Sequence, residues 1–315
     1  MCAPTHVRGI IMRCQTCGDA TSPTADDCQS CHTPVGQPAV TPGLPTYPVR
    51  GLGLAASIAV GATTVFFLLQ YLFPVYARGL IEQAAADRDA DRLFAVVLAE
   101  VALSVPFSIA ILTAGVLVII WTWRARKNTD AFPGALPATG AGWAIAGWLV
   151  PFANFVVPAV VVGGIARDSV RRSAGGLVGL WWIAWLVFSV GERVVSVKNE
   201  LAAAALPESP STAADFQAWV DAYQRQIGRG VVPAVACVVA AAAFIVLVTW
   251  ISTGQQERIA RAVPAWPVVP GMMMYPGGPG LPPQQSVTAP SPQVAADPTV
   301  ASPPVAPPPG GTIGA

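Results

Sequence analysis

Apolar residues along this chain come in blocks of membrane length, and polar residues gather at their ends. The run "GLGLAASIAVGATTVFFLLQYLFPVYA", residues 51–77, is long enough to cross about 30 Å of hydrocarbon at about 1.5 Å per residue. It lies too far into the chain, and is too long, to be the apolar core of a signal peptide. A second span, 101–123, ends at Trp121 and Trp123 and is followed at once by "RARK", Arg124 to Lys127. An aromatic belt followed by a cationic cluster marks a cytoplasmic interface. Residues 175–195 make another span, and 231–251 the last, where Trp250 and then Arg258 and Arg261 repeat the same ending.

One apolar segment does not read as a plain span. Residues 142–166 carry Pro151, Asn154 and Pro158 in their middle. Each proline frees a backbone carbonyl, and Asn154 adds a side-chain amide, so the stretch should face protein or water rather than lipid. It either dips in and returns, giving four spans, or crosses as a fifth. With four spans, "RARK", the group Arg167, Arg171 and Arg172, and the pair Arg258 and Arg261 all fall on the cytoplasmic side. The positive-inside rule favours that arrangement. The segment between the last two spans contains an amphipathic helix, capped by Ser211 or Thr212, with Phe216, Trp219, Val220, Tyr223 and Ile227 at helical spacing. It is expected on the outer surface.

Composition changes this picture little. With 53% hydrophobic and 11% charged residues the chain is too apolar for an ordinary soluble enzyme, and a net charge of +1 supplies no field for nucleic acid. The plasma membrane is the expected lipid bilayer, crossed several times, with the N-terminus cytoplasmic and, in the four-span arrangement, the C-terminus cytoplasmic as well. The 31 prolines concentrate in the flanks. Residues 33–50 are expected to form an extended, semi-rigid linker that holds the N-terminal segment away from the bilayer. The tail, 263–315, lacks apolar periodicity and is expected to be disordered; its prolines, Trp266, Tyr275 and methionines suit an aromatic-lined groove on a protein partner.

The leader holds the clearest chemistry. "CQSCH", residues 28–32, taken alone fits a haem attachment motif as well as half of a zinc site. Cys14 and Cys17 precede Cys28 and Cys31 by ten residues, which makes two tight pairs. Two C-x-x-C turns aim four thiolates at one point and suit a structural zinc ion. Haem attachment requires export, and nothing ahead of Cys14 resembles a signal peptide. It would also leave Cys14 and Cys17 idle. Zinc is therefore the expected ligand of a small ribbon, residues 1–32, with His32 as a spectator and Gly18 supplying a turn that needs positive φ. Met12 directly precedes the first knuckle, so residues 1–11 are read as an extension upstream of the native start.

The run "WTWRARKNTDAF" followed by "GWAIAGWLVPFANFVVPAVVV" and then "GLWWIAW" resembles the domain-of-unknown-function 4328 membrane family of actinobacteria. Trp121, Arg124 and Asn128 match one element of that family, and Gly142, Trp143, Pro151, Ala153, Asn154 and Pro158 match a second. Phe155 and Val156 depart from it, as does the apolar "AVVVGGI". The resemblance spans about residues 50–260 and implies a helical membrane domain without an assigned activity. Together these readings give an all-α membrane protein, with four transmembrane helices within residues 51–262, a Pro/Asn-broken re-entrant or fifth spanning segment, a small N-terminal zinc ribbon and a disordered Pro-rich C-terminal tail.

Within the helices no nucleophile, base and orienting group occur together, and the only histidines, His6 and His32, are in the leader. No catalytic residues are assigned. Of the polar groups near the membrane, Gln70, Glu100, Glu192 and Arg193 fall near the outer ends of their spans, and only Asn154 is placed deep. The small-residue face of residues 234–246 suits close helix approach within the chain or in a homo-oligomer. Two functions follow as expectations: a non-enzymatic scaffold or sensor working through ribbon and tail, or a small transporter or channel built around Pro151, Asn154 and Pro158.

Overall fold

A computed structural model describes residues 12–22, 25–31, 33–170 and 173–262. The expectations for the segment upstream of Met12, for His32, for Arg171 and Arg172, and for the tail lie outside these residues. Among the described residues the regular elements are helices, one two-stranded antiparallel hairpin, β1 (Met12–Arg13) with β2 (Ala20–Thr21), and an isolated bridge between Asp27 and Pro34. The helices are α1 (Arg50–Asp87), α2 (Ala90–Asp130), α3 (Trp143–Leu149), α4 (Val157–Ser169), α5 (Gly175–Ala204), α6 (Ala213–Arg229) and α7 (Val231–Ala262). Four helical stretches are long and apolar enough to cross a membrane: α1, α2, α5 and the run that ends with α7.

These helices pack as an antiparallel bundle. The α1–α2 turn is made by Arg88, in the left-handed region at φ 54°, and by Asp89, whose side chain caps α2 by accepting from the Arg92 amide. At the ribbon-side end, α1 crosses α2 and α7 so closely that a Cβ on Gly53 would sit 2.5 Å from Ser252 Oγ and 3.1 Å from Trp121 Nε1. The indole of Trp121 donates to Ser252 Oγ at 3.0 Å. Around this contact lies the main core, with Trp121, Trp181, Phe244, Leu247 and Ile251. The small side chains Ala234, Ala236, Cys237, Ala240 and Ala243 are buried within the bundle, so that face of α7 serves packing inside the chain.

The broken segment dips and returns. α3 has 7 residues, about 10 Å of helix, too few to cross. The chain then turns through residues 150–156, with Phe152 at φ 66° and a single 3-10 turn at Ala153–Phe155, before α4 runs back. Pro158 sits in the first turn of α4, where its missing N–H costs nothing. Gly147 lets the two arms touch, since a Cβ there would meet Val157 at 2.5 Å. The two arms fold back on each other as a hairpin, the shape that the re-entrant alternative expects.

The spans read from hydropathy are the apolar parts of longer helices. α1 and α2 have 38 and 41 residues, about 57 and 62 Å, nearly twice the hydrocarbon thickness. Their far ends continue as helix through most of residues 78–92, which lie between the spans read from hydropathy. Helix persists there because Ala77, Ile81, Ala84, Leu93 and Val96 bury a face against Phe216, Val220 and Tyr223 of α6. The Thr212–Asp215 capping box starts α6 where the sequence places it. α6 packs on the protruding α1–α2 hairpin at the far end of the bundle.

Candidate metal centre

The four cysteines of the leader converge. The Sγ atoms of Cys14, Cys17, Cys28 and Cys31 all lie within 4.8 Å of one another. Cys14 and Cys31 are 3.7 Å apart, and Cys17 and Cys28 are 3.6 Å apart. A tetrahedron with metal–sulfur bonds of about 2.3 Å has edges of about 3.8 Å, whereas a disulfide would close to about 2.05 Å. The cysteines are free thiols. The donor set fits a tetrahedral metal ion, with each of these two edges joining one cysteine of the first C-x-x-C pair to one of the second.

Local backbone geometry explains the convergence. In the first knuckle the Cys14 amide donates to the Asp19 carbonyl at 2.8 Å, and Gly18, at φ 80°, donates to the Cys14 carbonyl at 2.7 Å. In the second, the Cys28 amide donates to the Thr33 carbonyl at 2.9 Å, the same five-residue reach. Two copies of one turn face each other, so their cysteines meet at a common centre. The Thr33 hydroxyl lies 2.9 Å from Cys31 Sγ and 3.8 Å from Cys14 Sγ, a polar partner outside the thiol set.

Electrostatics in the cluster prepares it for a cation. Burial pushes the Cys17 thiol up to about 12, helped by neighbouring thiols that compete for the same negative charge. Cys31 is raised too, again first by burial. At Cys14 burial acts in the same sense but is outweighed by hydrogen bonds from the Cys17 and Thr16 backbone and from Thr33, which bring it down to about 6. The Cys14 thiolate forms readily while Cys17 and Cys31 resist, and four negative charges in so small a volume need a positive ion.

The ribbon is seated on the helical domain. Arg261 of α7 donates from Nε to the Gln15 carbonyl at 3.0 Å and from Nη2 to the Thr16 carbonyl at 2.6 Å. The linker folds back rather than standing the ribbon off. Asn128 of α2 holds both backbone groups of Tyr47, accepting from its amide at 2.7 Å and donating to its carbonyl at 2.9 Å. Thr41 donates to Ala131, Ala39 accepts from Arg258, and Ala39 and Val49 are fully buried. An extended polyproline segment leaves its backbone groups to water. Here side chains of the bundle and the Ala131 carbonyl take several of them over, and that is why the linker lies down.

Sequence reasoning singles out Trp121, Arg124 and Asn128, and the structure brings all three to the ribbon-side end of α2. Arg124 reaches the Pro48 carbonyl at 3.4 Å, and Asn128 also donates to Gln255 Oε1 at 2.9 Å. Gly142 and Trp143 open α3, with Trp143 partly exposed. Pro151 and Asn154 lie at the hairpin tip, half-buried to exposed, with Pro158 buried at the start of α4. Asn154 Oδ1 is buried without a partner among the described residues. Neither the cleft beside the ribbon nor the one at the far end is lined by Asn154. Gln70, Glu100 and Glu192 do line the far-end cleft, where Tyr223 donates to Glu100 at 2.6 Å.

Gln255 and Ser169 escape sequence reasoning. Gln255 is fully buried, donating to the Ala125 carbonyl and to Ser169 Oγ, each at 2.9 Å. A glutamine in "STGQQERIA" looks like any polar residue past the end of a span. Its only signal is its place on the face of α7 that also carries Ile251 and Arg258, both buried.

Comparison with known proteins adds one match. The model of a family described as domain of unknown function (DUF4328) matches residues 84–256, more than half of the chain. No curated protein and no solved structure matches.

Proposed function

Because the chain belongs to the DUF4328 family, whose description assigns no activity, we propose a function from its own geometry: a non-enzymatic integral membrane protein whose ribbon holds a structural zinc ion. Cys14, Cys17, Cys28 and Cys31 would hold it. Zinc would supply folding free energy to a segment too small to build a core, on the order of 10 kcal/mol. Four thiolates leave no open position for water or substrate, so the role is structural, and soft tetrahedral sulfur favours zinc among common divalent ions. The observation that carries this reading is the spacing of the four Sγ atoms, all within 4.8 Å.

The ribbon works as a sensor or scaffold for protein contacts at the plasma membrane. Its direct bonds to α7 support the sensor form, since a change in the ribbon is felt at the end of a membrane helix. The cytoplasmic side is supported by Arg124, Arg126, Lys127, Arg167, Arg258 and Arg261, which gather at the ribbon-side ends of the helices. Metal analysis of the purified full chain tests the reading. One zinc per chain, lost in Cys14→Ser together with any co-purifying protein partner, is the expected result. A metal-free protein, or a haem absorbance band, would overturn it. Solute flux in proteoliposomes that Asn154→Leu abolishes and Cys14→Ser leaves intact would replace it with transport.

A further inference from the structure

The last turns of α7 carry two arginines whose partners are all neutral. Arg258 is 8% exposed. It donates from Nε to the Ala39 carbonyl at 2.8 Å, from Nη2 to the Pro133 carbonyl at 3.1 Å and from Nη1 to the Asp168 carbonyl at 3.5 Å. Its guanidinium carbon lies 4.3 Å from the centre of the Phe132 ring. Arg261 reaches only the carbonyls of Gln15 and Thr16. Among the described residues no carboxylate lies within ion-pair distance of either arginine.

A guanidinium as buried as that of Arg258 is costly to keep charged unless negative charge lies near. Neither carboxylate beside it forms an ion pair with it. Asp168 is paired through Oδ1 with Arg167 at 3.2 Å, and Glu257 is exposed to solvent. What faces the arginines is the ribbon. Arg258 and Arg261 line a cleft of about 770 Å³ that Cys17, Cys31 and Thr33 line from the ribbon side. Four thiolates around a divalent ion carry a net charge of about −2, equal and opposite to that of the two guanidiniums.

We propose that Arg258 and Arg261 are the counter-charges of the metal-loaded ribbon, and that metal occupancy thereby locks the ribbon, the linker and the end of α4 onto the last membrane helix. This rests on the metal reading given above. Gln15 and Thr16 are the two residues between Cys14 and Cys17, so the knuckle that holds two of the metal's ligands also aims their carbonyls at Arg261. Arg258 carries the lock onward through Ala39 in the linker, Pro133 in the α2–α3 connection and Asp168 at the end of the re-entrant hairpin. With metal gone, both guanidiniums lose the full opposite charge of the four-thiolate site, and the knuckle carbonyls are free to turn away. Both arginines and the whole ribbon lie outside the residues matched by the family, 84–256, so the lock joins two parts of the chain that the family model does not cover.

The test uses the full chain in detergent, with zinc as the probe. Zinc affinity is measured by competition with a chromophoric chelator for the wild type, Arg261→Gln, Arg258→Gln and Arg258→Lys. Each glutamine variant should bind zinc about 10-fold more weakly, the effect typical of an outer-sphere partner. Arg258→Lys should recover most of the loss, because it keeps the charge while giving up the fork of hydrogen bonds. Hydrogen exchange over residues 33–50 is the second readout. Protection in the wild type should vanish on chelation, and in Arg261→Gln it should be low even with zinc bound. If Arg258→Gln does not fold, Arg261→Gln, at an exposed position, carries the test. A wild type that binds no zinc overturns this inference together with the metal reading. A zinc-loaded wild type overturns this inference alone if the Gln variants match its affinity to within about twofold and linker protection ignores the metal.

Discussion

The side-chain amide of Asn128 on α2 donates to Gln255 Oε1 on α7 at 2.9 Å, while the same side chain holds both backbone groups of Tyr47. Both Asn128 and Gln255 are fully buried. Through Gln255 the chain of bonds continues to the Ala125 carbonyl and to Ser169 at the end of α4. Two amides thus fasten the linker, two membrane helices and the re-entrant hairpin to one another. Such a network is worth most when every member is satisfied.

Asn128→Leu should therefore be costly. It leaves the Tyr47 amide and carbonyl and Gln255 Oε1 without partners, at about 1–3 kcal/mol for each group that stays buried and unpaired. A lower thermal midpoint of the detergent-purified protein is the expected outcome. Gln255→Leu should cost about as much on its own, and the double variant clearly less than the sum, since the two share one network. Full additivity would show that the network does not act as a unit.

Close helix approach at Gly254 makes a second prediction. A Cβ there would collide with the Ser169 carbonyl oxygen, a backbone atom that cannot swing aside. Gly254→Ala should destabilise by about 1–3 kcal/mol through forced separation of α7 and α4. Gly61→Ala, where nothing lies within 4 Å, is the matched control and should be neutral or slightly stabilising. Thermal unfolding of the two variants side by side checks the difference.

Chelation should act locally. Removing metal from the ribbon is expected to expose residues 12–50 to protease while α1, α2, α5 and α7 stay folded, because the membrane bundle has its own core around Trp121 and Phe244. Circular dichroism should retain its helical signal as the N-terminal fragment is clipped. Loss of the helical signal in step with the metal would mean that the bundle depends on the ribbon for folding.

Topology can be read from labelling. Leu136→Cys, ahead of the re-entrant hairpin, and Ser173→Cys, behind it, should react with an impermeant maleimide from the same side of sealed vesicles. Ser211→Cys, just before α6, should react from the other side. All three positions are exposed in the fold. Labelling of 136 and 173 from opposite faces would make the hairpin a crossing segment.

Removing the α6 cap should have a confined effect. Thr212 accepts from the Asp215 amide while Asp215 accepts from the Thr212 amide. Thr212→Ala should cost about 1 kcal/mol and speed hydrogen exchange in the first turn of α6, leaving zinc affinity unchanged. A change in zinc affinity would reveal coupling between the two ends of the bundle.

The four spans and the four clustered thiols are legible in the sequence because both rest on local patterns. Apolar length alone selects a membrane helix, and two C-x-x-C pairs bring four thiols together through turns a few residues long. The break at Pro151, Asn154 and Pro158 is legible too, but whether the segment crosses or returns is not. That depends on Gly147 meeting Val157 across the hairpin. The far ends of α1 and α2 lie outside the spans read from hydropathy because their burial comes from α6, more than a hundred residues later in the chain. Proline spacing in the linker predicts a segment that stands the ribbon off, whereas the folded chain lays it on the bundle. Whether its backbone groups are left to water or taken by Asn128, Arg258 and their neighbours is decided by contacts such as that of Tyr47 with Asn128, 81 residues apart. Sequence determined which parts this protein has; tertiary structure decided that the ribbon is fastened to the last membrane helix, because backbone carbonyls carry no mark in the sequence of the distant arginine that will bind them.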